Sequence, residues 1–520
     1  MAFYLTQSLH RVLQLRRNRP ATVFGERRQT WAEVGDRVAR LAGALQGLGL
    51  RAGERVGMMA LNSDRYLEYY FGTWWAGCVV NPVNVRWSPA EVAYSLDDCD
   101  TTVLIVDDHF APMVAELRTR SRSLRTVIHV GAGAPPEGML SWERLVAQAS
   151  PAQDAMRAGD DLAGVFYTGG TTGFPKGVML SHTNLASNAL TDVADGLVAP
   201  DGTALMVAPM FHLAATALLL SNMIVGSRLV FLPSFTPQGV LGAIQAEQVT
   251  SALLVPTMIQ MMIDHPSLKE HDTRSLRDVA YGASPISEGV MNRALAALPG
   301  ARFTQAYGMT ELSPCATFLP PWYHTAEGRG AGKIRSAGRA ASACEVRITD
   351  PDDREVPRGT VGEVCVRGPG VMQGYWNQPE LTAQALRGGW MHTGDAAYMD
   401  EDGFVFIVDR VKDMIVTGGE NVYSVEVESA LSQHPAVAAA SVIGIPDDKW
   451  GEAVHAVVVF KPGQSASAEA LVAHARGLIA GYKCPRSIEV REALPLTAAG
   501  KVQKTELRKP FWEGQSRNVA

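Results

Sequence analysis

The sequence predicts an α/β protein in two unequal parts. The N-terminal part is large, with two α/β sheet layers and a small β-barrel or antiparallel sheet, and a small α+β domain follows it. Three observations lead there. At 520 residues the chain is too long for a single hydrophobic core. Helix and strand signals alternate from residue 30 to residue 307, which is the pattern of a layered α/β body with much parallel sheet. Between 344 and 408 the pattern changes to short alternating strands broken by Gly, Pro and Asp turns, and beyond 412 a mixed region of about domain size remains.

The elements follow in order. Thr30 and Glu33 have capping-box spacing and open a helix that closes near Gly47 and Gly49. Residues 55–61 read as a strand, and Ser63 caps a helix running to Ala76. Ser88, Pro89 and Glu91 supply a cap, a proline at the first helical position and a second capping box. Residues 103–106 are a further buried strand, 131–138 a turn-rich loop, and 149–159 a polar linker. Strand-like runs then recur at 205–208, 228–232, 251–255, 279–281 and 302–307, with helical stretches between them. The terminal region reads as a helix at 425–433, strands at 438–443 and 454–460, and a helix at 468–480. No short-period repeat is present.

Composition removes several classes of function. With 47% hydrophobic and 19% charged residues the chain is an ordinary globular protein rather than a disordered one. A net charge of -6 gives no basis for nucleic-acid binding. Arg11, Arg16, Arg17 and Arg19 make a local basic patch that fits a solvated helix face. The six cysteines are scattered with no C-x-x-C pair, so neither a zinc site nor a disulfide framework is expected. The first residues lack the basic and apolar segments of a secretory signal. The most apolar run, 213–225, contains Ser221 and Asn222 and is too short to cross a bilayer. A cytoplasmic protein without a transmembrane segment is the expectation.

The chemistry concentrates in YTGGTTGFPKG, residues 167–177. Its glycines allow close backbone approach to a ligand, and successive N–H groups in such a turn form an anion-binding nest. Thr168, Thr171 and Thr172 add hydroxyls, and Lys176 adds a mobile charge suited to phosphate. This is not a Walker loop, because Gly177 rather than a hydroxyl residue follows the lysine. Further on, Tyr307, Gly308, Met309, Thr310 and Glu311 follow a predicted strand. There Glu311 can hold Mg²⁺ against phosphates and Tyr307 can lie flat on adenine. In His392, Thr393, Gly394 and Asp395, the carboxylate suits a ribose diol, which donates two hydrogen bonds.

The glycine-threonine loop closely resembles the phosphate loop of the adenylate-forming acyl/aryl-CoA synthetase, peptide-synthetase adenylation-domain and luciferase superfamily, which usually reads YTSGTTGxPKG. Gly169 stands where that family commonly has serine. Four further motifs follow in the family's order, so the resemblance covers nearly the whole chain, and it is strongest to fatty-acid and other carboxylic-acid CoA ligases. It implies an N-terminal domain over 1–411 and a mobile C-terminal domain over 412–520 that carries the catalytic lysine.

The resemblance also implies site residues. Nucleotide would be held by Thr168, Gly169, Gly170, Thr171, Thr172 and Lys176, with Gly282, Ala283 and Ser284 of the GASP turn. Gln305, Tyr307, Gly308, Thr310, Asp395, Arg410 and Lys501 would complete that set. Lys501, in the PLTAAGK loop, is implied as the catalytic lysine, acting with Lys176, Thr168, Glu311 and His212, the last as a gate between phosphate and acyl sites. Lys504 stands where the family often has arginine. The acyl pocket would be lined by His212, Leu213, Val255, Tyr281, Ala306 and Met309. Gly418, Gly419, Glu420, Trp450 and Tyr482 would lie along the CoA tunnel, with Lys412 as hinge.

The expected reaction has two steps, acid plus Mg·ATP to acyl-adenylate and pyrophosphate, then transfer of the acyl group to CoA. A phenol at Tyr281 points to a medium-chain or aromatic acid. Two alternatives stay open, an acyl-AMP ligase that loads a carrier protein and a silent nucleotide-binding regulator. The expected partners are the small-molecule acid, ATP and CoA; a homodimer stays open.

Overall fold

The computed structural model describes residues 4–131, 133–168, 175–284, 286, 288–410, 413–418, 420–447, 449–496 and 502–513, without the side chains of Arg410 and Asn421. They pack as two compact units: Met1–Val346 with Val366–Met391, and Arg347–Cys365 with His392–Ala520.

The first unit is built on two large sheets. One has nine strands, and its centre is parallel: Arg302–Gly308, Asp278–Gly282, Ser251–Leu253, Thr203–Met206, Arg228–Phe231 and Pro20–Phe24 lie side by side in that order. Antiparallel strands close both edges. The other sheet has eight strands, parallel from Leu162–Thr168 through Val79–Pro82, Arg55–Met59, Val103–Val106 and Thr126–His129 to Leu140–Ser141. Central parallel strands such as VLIV at Val103–Val106 and VVNP at Val79–Pro82 are fully buried, as expected where helices cover both faces.

Local sequence sets the helix starts. Thr30 caps Trp31–Gly47 and Ser88 caps Pro89–Asp98, each as a complete capping box with the glutamate three residues on. Ser63 precedes Asp64–Trp75 as expected but makes no side-chain cap bond. That helix is instead held by burial, since all of its residues are buried.

The apolar run 213–225 is the helix Leu213–Val225, and its two polar residues are satisfied locally. Asn222 donates to the Leu218 carbonyl at 2.8 Å, and Ser221 Oγ lies 2.7 Å from both the Ala217 carbonyl and Asp192 Oδ2. Asp192 is 1% exposed, and its Oδ1 has no hydrogen-bond partner among the described residues. Burial pushes its carboxyl up to about 7. The unfolded carboxyl titrates near ~4, so the folded state holds an extra proton between these values and stability falls as pH rises through that window. Asp192→Asn is therefore expected to flatten the fall and to raise stability near pH 8 by on the order of 3 kcal/mol, read from denaturant midpoints at several pH values.

The second unit holds most of a four-stranded sheet, Glu345–Thr349, Gly362–Arg367, Met391–Met399 and Val405–Arg410. It also holds a five-stranded sheet of Glu420–Val422, Ile415–Thr417, Gly451–Phe460, Val437–Asp447 and Ser487–Val490. The helices Ser424–Ser432, Ala468–Arg476 and Lys504–Trp512 complete this unit, and its core gathers residues such as Val427, Leu431, Val454 and Leu471. All six cysteines are free, five of them buried and Cys344 half-buried. Among the described residues no helix is long and apolar enough to cross a membrane.

Candidate active site

The glycine-threonine stretch connects two antiparallel strands rather than a strand and a helix. Leu162–Thr168 pairs with Lys176–Ser181, setting Thr168 opposite Lys176 and Tyr167 opposite Gly177. The helix His182–Ala194 begins only after the second of these strands. Gly169, Gly170, Thr171 and Thr172 lie outside the described residues. The hairpin is anchored at Tyr167, whose hydroxyl donates to Asp98 Oδ2 at 2.6 Å.

A third strand, Gly374–Tyr375, pairs with the lysine strand and brings Tyr375 opposite Val178. The Lys176 ammonium lies 5.4 Å from the centre of the Tyr375 ring. The Tyr375 hydroxyl donates to Glu311 Oε1 at 2.8 Å. Glu311 is 5% exposed, in the short turn Thr310–Leu312, and its carbonyl accepts from the Met372 N–H at 2.9 Å. One tyrosine thus meets both the phosphate-type cation and the metal-type carboxylate. A carboxylate oriented by a phenol beside a threonine is a hard oxygen donor set, which fits Mg²⁺. Tyr375 was not visible as a site residue from sequence, because its strand pairing is distant along the chain.

The remaining N-terminal residues gather at the carboxyl ends of neighbouring parallel strands, where α/β sheets bind ligands. His212 and Leu213 follow Thr203–Met206, Val255 follows Ser251–Leu253, and Tyr281 to Ser284 end the next strand. Gln305 to Thr310 end the one after it, and all six are half-buried. The backbones are close here. A Cβ on Gly282 would sit 2.3 Å from the Ala306 carbonyl oxygen, and one on Gly308 would sit 1.9 Å from that of Pro314. Ala283 takes a φ of 67° to turn the chain, and Pro285 lies outside the described residues.

Tyr281 is fully buried, and its hydroxyl meets His324 Nε2 at 2.8 Å and Gln305 Oε1 at 3.2 Å. His324 Nδ1 faces the Pro320 carbonyl at 3.2 Å, which can only accept, so Nε2 is the bare nitrogen that takes the tyrosine proton. Burial lowers His324 to about 4, keeping it neutral. His212 opens the helix Leu213–Val225 with its ring 4.2 Å from that of Phe211.

In the second unit Asp395 is 5% exposed and lies opposite Arg410 in the antiparallel pair Met391–Met399 and Val405–Arg410. The turn that presents it is held by Glu363, which accepts from the Gly394 N–H at 2.9 Å and pairs with His392 Nδ1 at 2.8 Å. Thr393 Oγ1 donates to the Val364 carbonyl at 2.9 Å and accepts from the Asp395 N–H at 3.1 Å. Glu363 is a positioning residue that the sequence reading missed, since nothing local marks it.

Gly418 and Trp450 are joined by a backbone hydrogen bond of 2.8 Å, and Arg486 stacks on the Trp450 ring at 4.8 Å. Glu420 is exposed, as is Tyr482. Cys484 is buried in the core. Lys412, Gly419 and Lys501 lie outside the described residues. The loop that bears Lys501 closes at its base through a Leu496–Val502 bridge and a Gln503 N–H to Pro495 carbonyl bond of 2.8 Å.

The AMP-binding enzyme family matches residues 9–376, and the AMP-binding enzyme C-terminal domain matches 426–501. The chain is 41% identical to a feruloyl-CoA synthase of an Amycolatopsis species, covering 93% of this chain and 94% of that one. It is 35% identical to a medium/long-chain-fatty-acid–CoA ligase of Mycobacterium tuberculosis, covering 98% and 90%. It superposes with a TM-score of 0.90 on the crystal structure of the anthranilate CoA ligase AuaEII in complex with anthranoyl-AMP, at 29% identity and 98% coverage of both chains. The chain therefore belongs to the AMP-binding enzyme family, as an AMP-forming acid–thiol ligase that uses ATP, Mg²⁺ and CoA.

Proposed function

We propose that the acid is an aromatic or medium-chain carboxylic acid, and that it binds at the carboxyl ends of the parallel strands that carry His212, Val255, Tyr281 and Ala306. The observation that supports this reading is the pinned phenol. Tyr281 donates its one hydroxyl proton to His324 with the Gln305 amide beside it, so it is a fixed wall and not a swinging side chain. Such a fixed wall suits a short, flat or moderately long acyl group. The similar proteins named above act, by their names, on feruloyl, fatty and anthranilate substrates, which spans the same range.

In the first step the carboxylate oxygen attacks the α-phosphorus, the bond to the bridging oxygen breaks, and pyrophosphate leaves. Lys176 and Thr168, with the loop between them, hold the outer phosphates, and Glu311 would hold Mg²⁺, which would draw charge off them. Asp395 and Arg410 hold the ribose, and Tyr307 the adenine. Lys501 offsets the charge gathered as two anions meet. In the second step the CoA thiol attacks the acyl carbon and AMP leaves. Rotation about Lys412 exchanges Lys501 for the face bearing Gly418, Gly419 and Glu420. The free cysteines support a reducing, cytoplasmic setting.

The test is pyrophosphate release across fatty, aryl and dicarboxylic acids, with and without CoA. Aromatic or medium-chain acids should give the highest kcat/KM. A clear preference for dicarboxylic or very long acids would overturn the proposal. Tyr281→Gly is expected to move the optimum toward longer acids, by about tenfold in relative kcat/KM for two added methylenes. An unchanged profile would remove the role given to that wall.

A further inference from the structure

The second unit contains a buried charged network that no step above uses, and it touches both sides of the hinge segment. Its centre is Lys504, the first residue of the helix Lys504–Trp512. The Lys504 ammonium pairs with Glu428 Oε1 at 2.8 Å and donates to Ser424 Oγ. The two charged side chains are 14% and 19% exposed. The Ser424 N–H in turn donates to Asp409 Oδ2, and Asp409 is 3% exposed. One turn along the same helix, Arg508 pairs with Asp413 Oδ1 at 2.6 Å, with both side chains again largely buried (11% and 14% exposed). Lys504 and Arg508 are thus an i,i+4 pair on one helix face; Arg508 reaches Asp413 directly and Lys504 is linked to Asp409 only through Ser424, and these two acids stand on either side of residues 410–412.

The other end of that helix is anchored too. Leu507 packs with Ile443 and Val457, and the Trp512 indole donates to the Gly444 carbonyl at 3.0 Å. The Leu496–Val502 bridge ends one residue after Lys501, and Lys504 begins two residues later. Buried ion pairs rarely add net stability, and their best-attested use is to fix one arrangement.

We propose that Lys504, with Glu428, and Arg508, with Asp413, are positioning residues that lock the base of the Lys501 loop to the flanks of the hinge. The base of the Lys501 loop, Leu496 and Val502 to Lys504, is thereby held in one place within the second unit. This rests on the roles given above to Lys501 and Lys412. The clamp serves the step that needs Lys501 and leaves the thiol step alone. It also explains why lysine suffices where relatives often carry arginine: one ammonium reaches both a carboxylate and a hydroxyl.

The test uses the full-length enzyme and the paired variant Lys504→Met with Glu428→Met, which removes both charges of that pair together. Acid-dependent pyrophosphate release should fall about a hundredfold in kcat, the effect of a misplacement of about 1 Å, with KM for ATP and acid nearly unchanged. Thioester formation from supplied acyl-adenylate and CoA should stay within a few-fold of the parent, and Lys504→Arg should restore most of the adenylation rate.

The decisive readout is the cycle with Lys501→Ala. In that background the paired variant should cause no further loss, because it acts only through Lys501. A further hundredfold loss there, or an equal loss in the thiol step, would overturn the clamp. If Lys501→Ala alone left pyrophosphate release intact, the role of Lys501 would fall instead, whatever the paired variant does. Arg508→Gln offers a second entry to the same cycle should the paired variant unfold.

Discussion

Glu311→Gln is expected to lower kcat for acid-dependent pyrophosphate release by about 10²–10³-fold, with KM for the acid little changed. The substitution is nearly isosteric, and the amide oxygen can still accept the Tyr375 hydroxyl now bound at 2.8 Å. What disappears is the charge that a divalent cation needs, in a position only 5% exposed where water cannot substitute for it. Stopped pyrophosphate-release kinetics at several Mg²⁺ concentrations would check this, and excess Mg²⁺ should recover part of the loss. Tyr375→Phe, which keeps the ring beside Lys176 and removes the hydroxyl, should cost about tenfold. If Glu311→Gln were indifferent to Mg²⁺, the carboxylate would be a structural partner of Tyr375 and no more.

Asp395→Ala is expected to weaken ATP and AMP binding by about a hundredfold, as the loss of two charge-assisted hydrogen bonds from a diol requires. Calorimetric titration with AMP measures this without chemistry. Asp395→Asn should fall between, because the amide keeps one acceptor. The main chain at this position is held independently, by Glu363 on Gly394 and by Thr393, so the alanine variant should keep its fold. Retained AMP affinity in Asp395→Ala would move the ribose elsewhere.

What could be read from the sequence was what is decided locally. The capping boxes at Thr30 and Glu33 and at Ser88 and Glu91 form as written, because all their partners lie within four residues. Pro20–Phe24, Val79–Pro82 and Thr126–His129 escaped, but parallel strands such as Val103–Val106 and Arg302–Gly308 were recognised from the alternation of strand-like and helical runs. The strand Lys176–Ser181 was not, although it continues directly from the loop. It exists because Leu162–Thr168 lies on one side and Gly374–Tyr375 on the other, and the second partner is far along the chain. For the same reason Tyr375, Glu363 and His324 escaped notice. Each acts on a residue that carried a motif, yet none carries one itself. The motif residues Lys176, Thr168, Glu311 and Tyr307 stood out because their chemistry sits in a few consecutive positions.

The cysteines carry a consequence for an enzyme whose second substrate is itself a thiol. An acyl-adenylate acylates any thiolate it meets, including one of the protein's own. Burial pushes Cys99 and Cys344 up to about 11 and Cys78 up to about 12, and it raises Cys315 and Cys484 as well. At neutral pH roughly one in ten thousand of a thiol with such a value is ionised. These five thiols are thereby kept out of the competition, and the activated acid is left to the nucleophile that arrives from solution.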